Sequence, residues 1–487
     1  MSAKRITRPV ALLALTACLA VTAAHAGAPA ATAQAAAPAR NTDFNGDGYN
    51  DLAVASPYYD RTDSHWYTAG KVAVLYGGPG GLSGHALLAP EPGCTGLDGG
   101  GGTVACRFWG LTLGAADSDH DGRTDLYVGG TGEMRALGWK PGGITTVEAH
   151  KSPVLSSGGA LVGPFDRQVR PDVLVLEPGQ GNRQGKAGGW YDAETWYSSM
   201  DLPAVQDVRM TETRYGNLAH GDLDGGFDRE IAVVQTRYLE DSATGDLWPE
   251  HHLVVIDSPG ENPAVLDLAG TSSTCPALQV CPEAESRLAT GDVNGDLYDD
   301  LVMVTPARGV LHIWYGASSG VRGAPSFTTR DQPWLTRDVT TVAVGDVNGD
   351  GAAEVVLGRP GNGWTSPGRP GDVVLLPGSR TGPVLAGAQV VSQDGVGPWS
   401  GPASGDPIGE QGRNGDRFGR GLSVLDVTGD GKGELIIGAP GKNGGAGMVA
   451  VVHGTADGAS ATRAQVVHPA QIGMTSPAAA FGSDLLR

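Results

Sequence analysis

Short runs of β-branched and other apolar residues recur along this chain, each opened by an acidic, glycine-bearing loop and closed by proline or glycine. The runs LAVASP, LYVGG, IAVVQT, LVMVTP, VVLGRP and LIIGAP follow loops that begin at Asp43, Asp117, Asp222, Asp292, Asp346 and Asp426. Their length and residue types predict strands. Later runs end in glycine, as KVAVLYGG, LHIWYGAS, DVVLLPGS and GMVAVVHG. No convincing helical period interrupts them, so the pattern predicts an all-β chain. A seventh place, Asp166 to Asp172 (DRQVRPD), keeps the apolar run without the acidic pattern. Seven units average about 64 residues, which is room for four strands and their turns, as in one propeller blade.

The ends of the chain sharpen this expectation. Phe418-Gly419 leads into the last loop, and FWGLTLGAAD and YGNLAHGD lead into others, but Arg40-Asn-Thr stands directly before Asp43. The missing lead-in reappears at the other end as Phe481-Gly-Ser-Asp-Leu485. The C-terminal strand is therefore expected to complete the first blade, leaving the ring of sheets without an open edge.

Each loop is nine residues long, and oxygen-bearing side chains at positions 1, 3, 5 and 9 suit Ca2+, which takes six to eight oxygens at roughly 2.3 to 2.6 Å. In the first loop these are Asp43, Asn45, Asp47 and Asp51, with the carbonyl of Tyr49 at position 7. The equivalents are Asp117, Asp119, Asp121, Arg123 and Asp125; Asp292, Asn294, Asp296, Tyr298 and Asp300; Asp346, Asn348, Asp350, Ala352 and Glu354; and Asp426, Thr428, Asp430, Lys432 and Glu434. A weaker loop offers Asp222, Asp224 and Glu230. Two loops depart from the pattern and rank below the other four: Leu297 stands where glycine relieves the turn, and Gly226 stands where a carboxylate is wanted. Position 12 of the first loop is Val54, inside a strand run, which argues against an EF-hand. Asp-Gly and Asn-Gly are also ordinary hairpin turns. The repeated spacing favours calcium over turns alone, with about four to six ions expected.

The segment FGRGLSVLDVTGDGKGELIIGAP, Phe418 to Pro440, resembles the FG-GAP repeat, and the resemblance extends over essentially the whole chain after its N-terminal segment. That repeat builds the seven-bladed propeller of integrin α subunits and of many secreted bacterial proteins. The resemblance implies a seven-bladed β-propeller over residues 41–487, calcium in the loops named above, and ligands met on the face opposite the metal. The Asp166 and Asp222 units depart from the family pattern.

Composition adds a location. Lys4, Arg5 and Arg8, an apolar stretch and Ala24-His-Ala26 read as a signal peptide over residues 1–26, followed by an Ala/Pro-rich linker over 27–40. Export is the expectation; Leu15-Thr-Ala-Cys18 leaves open a lipid anchor on the outer membrane face. Cys94, Cys106, Cys275 and Cys281 remain, and the short spacings favour pairing Cys94 with Cys106 and Cys275 with Cys281. The formal charge of −19 speaks against nucleic acid and anionic membranes as partners.

No zinc, P-loop or metalloprotease motif is present. Gly316-Ala-Ser318-Ser-Gly320 matches a nucleophile elbow in form, but its flanks read as a turn after a strand. His251-His252 alternate across a strand, so they read as an edge pair rather than a metal site. Trp190, Tyr191, Trp196 and Tyr197, and the group His65-Trp66-Tyr67, suit either packing between blades or contact with a sugar or protein. Two function classes fit: a secreted monomeric binding or adhesion module for an extracellular glycan or protein, and a polysaccharide lyase or hydrolase with its site in the propeller funnel.

Overall fold

The computed structural model describes residues 42–57, 70–90, 95–97, 103–105, 109–130, 133–151, 160–163, 172–177, 186–191, 194–199, 208–226, 228–241, 247–257, 264–266, 286–329, 332–361, 369–398, 408, 411–477 and 479–486. The four cysteines expected to pair, Cys18, the signal and linker segments, the Asp166 loop and His65-Trp66-Tyr67 lie outside them. So do the side chains of Trp190, Tyr191, Trp196 and Tyr197.

Residues 37–487 form one compact unit. Six four-stranded antiparallel sheets, one five-stranded sheet and a two-stranded ribbon make it a β-propeller. In the Asp117 sheet the order is Thr112–Ala116, Asp125–Gly130, Glu133–Lys140 and Gly143–Lys151, with each strand beside the next in sequence. The same meander recurs in the sheets starting at Ala160–Gly163, Val208–Gly221, Arg287–Gly291 and Gly421–Leu425. The expectation of seven four-stranded blades is corrected: six four-stranded blades are found among the described residues, and the Asp346 sheet departs from them. There a fifth strand, Gly395–Pro398, folds back on Gln389–Ser392 through a tight turn at Gln393-Asp394, whose Asp394 N–H donates to Ser392 Oγ at 3.3 Å.

The Asp43 sheet is assembled from both ends of the chain. Leu52–Ser56 pairs with Lys71–Leu75 on one side and with Asp484–Leu485 on the other, in the register Val54 to Leu485 and Ala55 to Asp484. Packing follows the same path: Leu52, Val54 and Leu75 share a buried cluster with Leu425, Ile436, Val449 and Phe481. Equivalent clusters join the Asp43 sheet to the Asp117 sheet, the Asp222 sheet to the Asp292 sheet, that one to the Asp346 sheet, and the latter to the Asp426 sheet. Apolar residues therefore line both faces of these strands, as burial between two neighbouring sheets requires.

The lead-in aromatic has a fixed seat. Trp109, Phe418 and Phe481 are buried at 1%, 0% and 0% exposure, and the glycine after each takes a left-handed φ of 90°, 93° and 84°. The backbone that follows presses on a glycine of the neighbouring strand. A Cβ on Gly438 would stand 2.0 Å from the Gly482 carbonyl oxygen, and one on Gly358 2.2 Å from that of Gly419. Only glycine permits that approach.

Candidate metal centre in a chain of acidic loops

The Asp117, Asp222, Asp292, Asp346 and Asp426 loops each join the first two strands of their sheet, and the Asp43 loop leads into Leu52–Ser56, the counterpart of the second strand, so all of them lie at the same strand end. Within a loop, position 1 organises the turn. Asp43 Oδ1 accepts from the N–H groups of Gly46 (2.7 Å) and Asp47 (3.0 Å), and its Oδ2 accepts from Gly48 (2.8 Å). Asp292 and Asp426 repeat all three contacts, Asp346 those at positions 4 and 6, and Asp117 those at positions 5 and 6. Where position 3 is asparagine, its Nδ2 donates to the position-5 carboxylate: Asn45 to Asp47 (3.0 Å), Asn294 to Asp296 (2.9 Å) and Asn348 to Asp350 (3.1 Å).

Position 9 lies underneath. Asp51, Asp125, Glu230, Asp300, Glu354 and Glu434 are all at most 2% exposed, and each accepts the N–H of position 2. The glycine that ends the later strand closes over the same carboxylate: Gly77 N–H donates to Asp51 Oδ1 at 3.0 Å and Gly316 N–H to Asp300 Oδ1 at 2.9 Å. Burial pushes these acids up, to about 7 for Asp51, Asp300 and Glu434 and about 8 for Glu230 and Glu354; the backbone donors oppose that rise. The Asp125 carboxyl is raised for the same reason. A cation at this spot would restore the charged form.

The donor set fits a hard cation. Carboxylate oxygens of Asp117, Asp119 and Asp125 converge within 4.8 Å of one another, as do those of Asp222, Asp224 and Glu230. All are oxygen donors, as calcium prefers. Of the two loops ranked lower in the sequence, the Asp292 loop makes all three position-1 contacts, and the Asp222 loop makes the one at position 4, from Gly225 N–H at 2.6 Å. Leu297 takes φ 75° with its side chain 82% exposed, and its N–H still reaches Asp292 Oδ2 at 2.8 Å. In the Asp222 loop, Asp228 is buried, and a Cβ on Gly226 would lie 3.3 Å from its Oδ1, so Asp228 brings a carboxylate toward the space of the missing position-5 side chain.

The left-handed Leu297 is a local conflict, because such a conformation costs about 1–2 kcal/mol for a residue with a Cβ. Leu297→Gly is expected to raise stability by roughly 0.5–1 kcal/mol, after allowing for the greater freedom of glycine in the unfolded chain. Urea unfolding at unchanged slope reads this; a fall in midpoint would contradict it.

Sequence reasoning missed how the loops are linked. The position-7 side chain of one loop covers the position-4 glycine of its neighbour: a Cβ on Gly46 would lie 3.2 Å from Arg123 Nε, one on Gly349 3.1 Å from Lys432 Cγ, and one on Gly429 3.0 Å from Tyr49 Cε1. Position 8 donates to the position-1 carbonyl of the same neighbour, from Asp299 N to Asp222 O (2.8 Å), Ala353 N to Asp292 O (2.7 Å) and Gly433 N to Asp346 O (2.7 Å). Asn50 does so by its side chain, with Nδ2 to Asp426 O at 3.1 Å. Thus positions 7 and 8, of variable residue type, act through backbone and surface and leave no motif. The terminal glycines of KVAVLYGG and LHIWYGAS did carry a signal.

Gly316-Ala-Ser318-Ser-Gly320 is a turn, closed by the Gly320 N–H on Ala317 O at 2.7 Å, with no helix after it. His251 and His252 face Thr236 and Gln235 in adjacent register positions of Leu247–Ile256.

At the opposite strand end of the Asp346 sheet lies a cleft of about 560 Å³ lined by Trp334, Arg337, Arg359, Arg369, Asp372 and Gln393, among others. Arg359 Nε donates to Asp372 Oδ1 at 2.6 Å, and its Nη1 donates to the Trp334 carbonyl. No helix among the described residues is long and apolar enough to cross a membrane.

The FG-GAP repeat family matches residues 40–75, 339–376 and 418–452, and the FG-GAP-like repeat matches residues 292–357. No curated protein matches the chain. An aromatic-glycine pair that needs a glycine floor on the preceding strand, followed by an acidic loop, is what such a repeat encodes, and this chain is a β-propeller that carries FG-GAP repeats.

Proposed function

We propose that the chain is an exported, calcium-stabilised binding module whose sheets close into a ring through the Asp484–Leu485 strand, with disulfides Cys94–Cys106 and Cys275–Cys281. The observation that carries this reading is the linkage of the acidic loops. The position-1 carboxylates hold each turn, and the position-1 carbonyls accept hydrogen bonds from the neighbouring loop. Calcium there serves the scaffold. Asp43, Asn45, Asp47, Asp51 and the Tyr49 carbonyl, with their equivalents in the Asp292, Asp346, Asp426 and Asp222 loops, would hold it and neutralise buried position-9 acids.

Recognition is assigned to the far strand ends. The cleft beside Trp334 has the size of a ligand site, and it combines an indole, arginines and carboxylates as glycan and peptide sites do. Gln393 is 1% exposed, and its Oε1 has no hydrogen-bond partner among the described residues. A hydroxyl or amide of a bound glycan or peptide would satisfy it.

The test is binding of the calcium-loaded full chain to a glycan array and to immobilised extracellular proteins. A retained ligand should lose roughly tenfold affinity in the Trp334→Ala, Arg369→Ala double variant, as for an aromatic and arginine anchor. Undiminished binding by that variant would move the site elsewhere. Depolymerisation of a polysaccharide without stable binding would instead establish the enzyme reading.

A further inference from the structure

The Asp117 loop differs from its sisters in three linked ways. Among the loops with acidic residues at positions 1, 5 and 9 it alone has aspartate at position 3, Asp119, where the others carry asparagine or Thr428. The residue that elsewhere is the strand-ending glycine is Trp139. Counted from the partner of position 10, it matches Gly77, Gly316, Gly378 and Gly454. Its ring stacks on Phe44 at 5.2 Å, its Nε1 donates to Tyr76 Oη at 3.1 Å, and the strand runs on to Lys140. One position further, where the sisters carry Gly78, Ala317, Ser379 and Thr455, Lys140 places its ammonium on Asp119 Oδ2 at 2.5 Å and Asp121 Oδ2 at 2.6 Å.

We propose that Lys140 is the resident cation of the Asp117 loop, so that this loop holds no calcium at concentrations that fill its sisters. The ammonium bridges ligand positions 3 and 5, as Asn45 Nδ2 bridges to Asp47 in the first loop, and also supplies positive charge. The other oxygen of Asp121 accepts Arg123 N–H at 3.0 Å, and both oxygens of Asp117 accept backbone N–H groups. A divalent ion at this place must therefore displace the lysine or sit beside a like charge. The pairing raises the lysine further above its ordinary value, through Asp119 first and Asp121 next, and lowers the Asp121 carboxyl. Lysine is the one cation at this strand position among the described loops, and it accompanies the one loop with aspartate at position 3 among those with a complete acidic set.

The inference rests on the calcium reading of the sister loops, and the experiment separates the two. Bound calcium is counted by equilibrium dialysis for the wild type and for Lys140→Met, Asp119→Asn and Asp43→Asn. Lys140→Met should gain one ion per chain, Asp119→Asn should lose none, and Asp43→Asn should lose one. No gain in Lys140→Met, or an ion lost in Asp119→Asn, overturns the role of the lysine. A wild type that binds no calcium overturns the calcium reading instead. Melting in chelator then decides the lysine separately. Lys140→Met should melt below the wild type, with Asp119→Asn in the same chain restoring part of the loss; equal melting of Lys140→Met and wild type removes the proposal.

Discussion

Millimolar calcium is expected to raise the melting temperature of this protein sharply, magnesium much less, and a chelator to abolish the gain. Each ion bound only by the folded chain at a hundred times its Kd contributes about 2.7 kcal/mol, so several loops together contribute on the order of 10 kcal/mol. The loops transmit that gain because each is bonded to its neighbour, as Asn50 is to Asp426 and Ala353 to Asp292. Magnesium demands a small octahedral shell that these spaced oxygens suit poorly. The pH dependence should reverse with metal. Asp51, Asp300 and Glu434 sit near 7, and Glu230 and Glu354 near 8, whereas unfolded carboxyls sit near 4. Between about pH 4 and 8 the metal-free fold binds more protons than the unfolded chain, so its stability falls as pH rises through that window. Calcium displaces those protons, so its stabilising increment grows over the same window. Calorimetry with and without calcium across this pH range reads both trends. Identical curves in calcium and chelator would reduce the loops to turns.

Removal of residues 481–487 is expected to be the most damaging short deletion at either chain end. It takes away Phe481, Leu485 and Leu486, all buried, and uncovers the edge of Leu52–Ser56 that Asp484–Leu485 pairs. The single change Phe481→Ala isolates the packing part, and burial at 0% exposure predicts a loss of about 3–5 kcal/mol. The deletion adds an unpaired strand edge, so aggregation should accompany the lost stability. Urea unfolding and sedimentation of the two variants against the wild type measure this. A deletion variant as stable and monomeric as the parent would show that the terminal strand closes nothing.

The acidic loops and the strand runs were legible in the sequence because both depend on local rules. Spacing at positions 1, 3, 5 and 9 sets a turn, and a β-branched run between breakers sets a strand. Phe481 without its loop even announced the partner of Leu52–Ser56, since the same lead-in recurs at Phe418. At Leu297 the loop turns without the glycine that the local rule asks for, with the N–H bonded to Asp292 and the side chain largely exposed. Local reasoning failed at the Asp346 sheet, where the turn at Asp394 adds a strand.

What the sequence determined by itself is the repeat, the class of fold and the oxygen-rich character of the loops, all encoded within about ten residues of one another. Only the tertiary structure decided which loops touch, that Tyr49 covers Gly429 and Arg123 covers Gly46, and that Lys140 reaches Asp119 and Asp121. Those contacts join residues from separate strands or separate sheets. Their chemistry depends on distance in space, which no local spacing along the chain records.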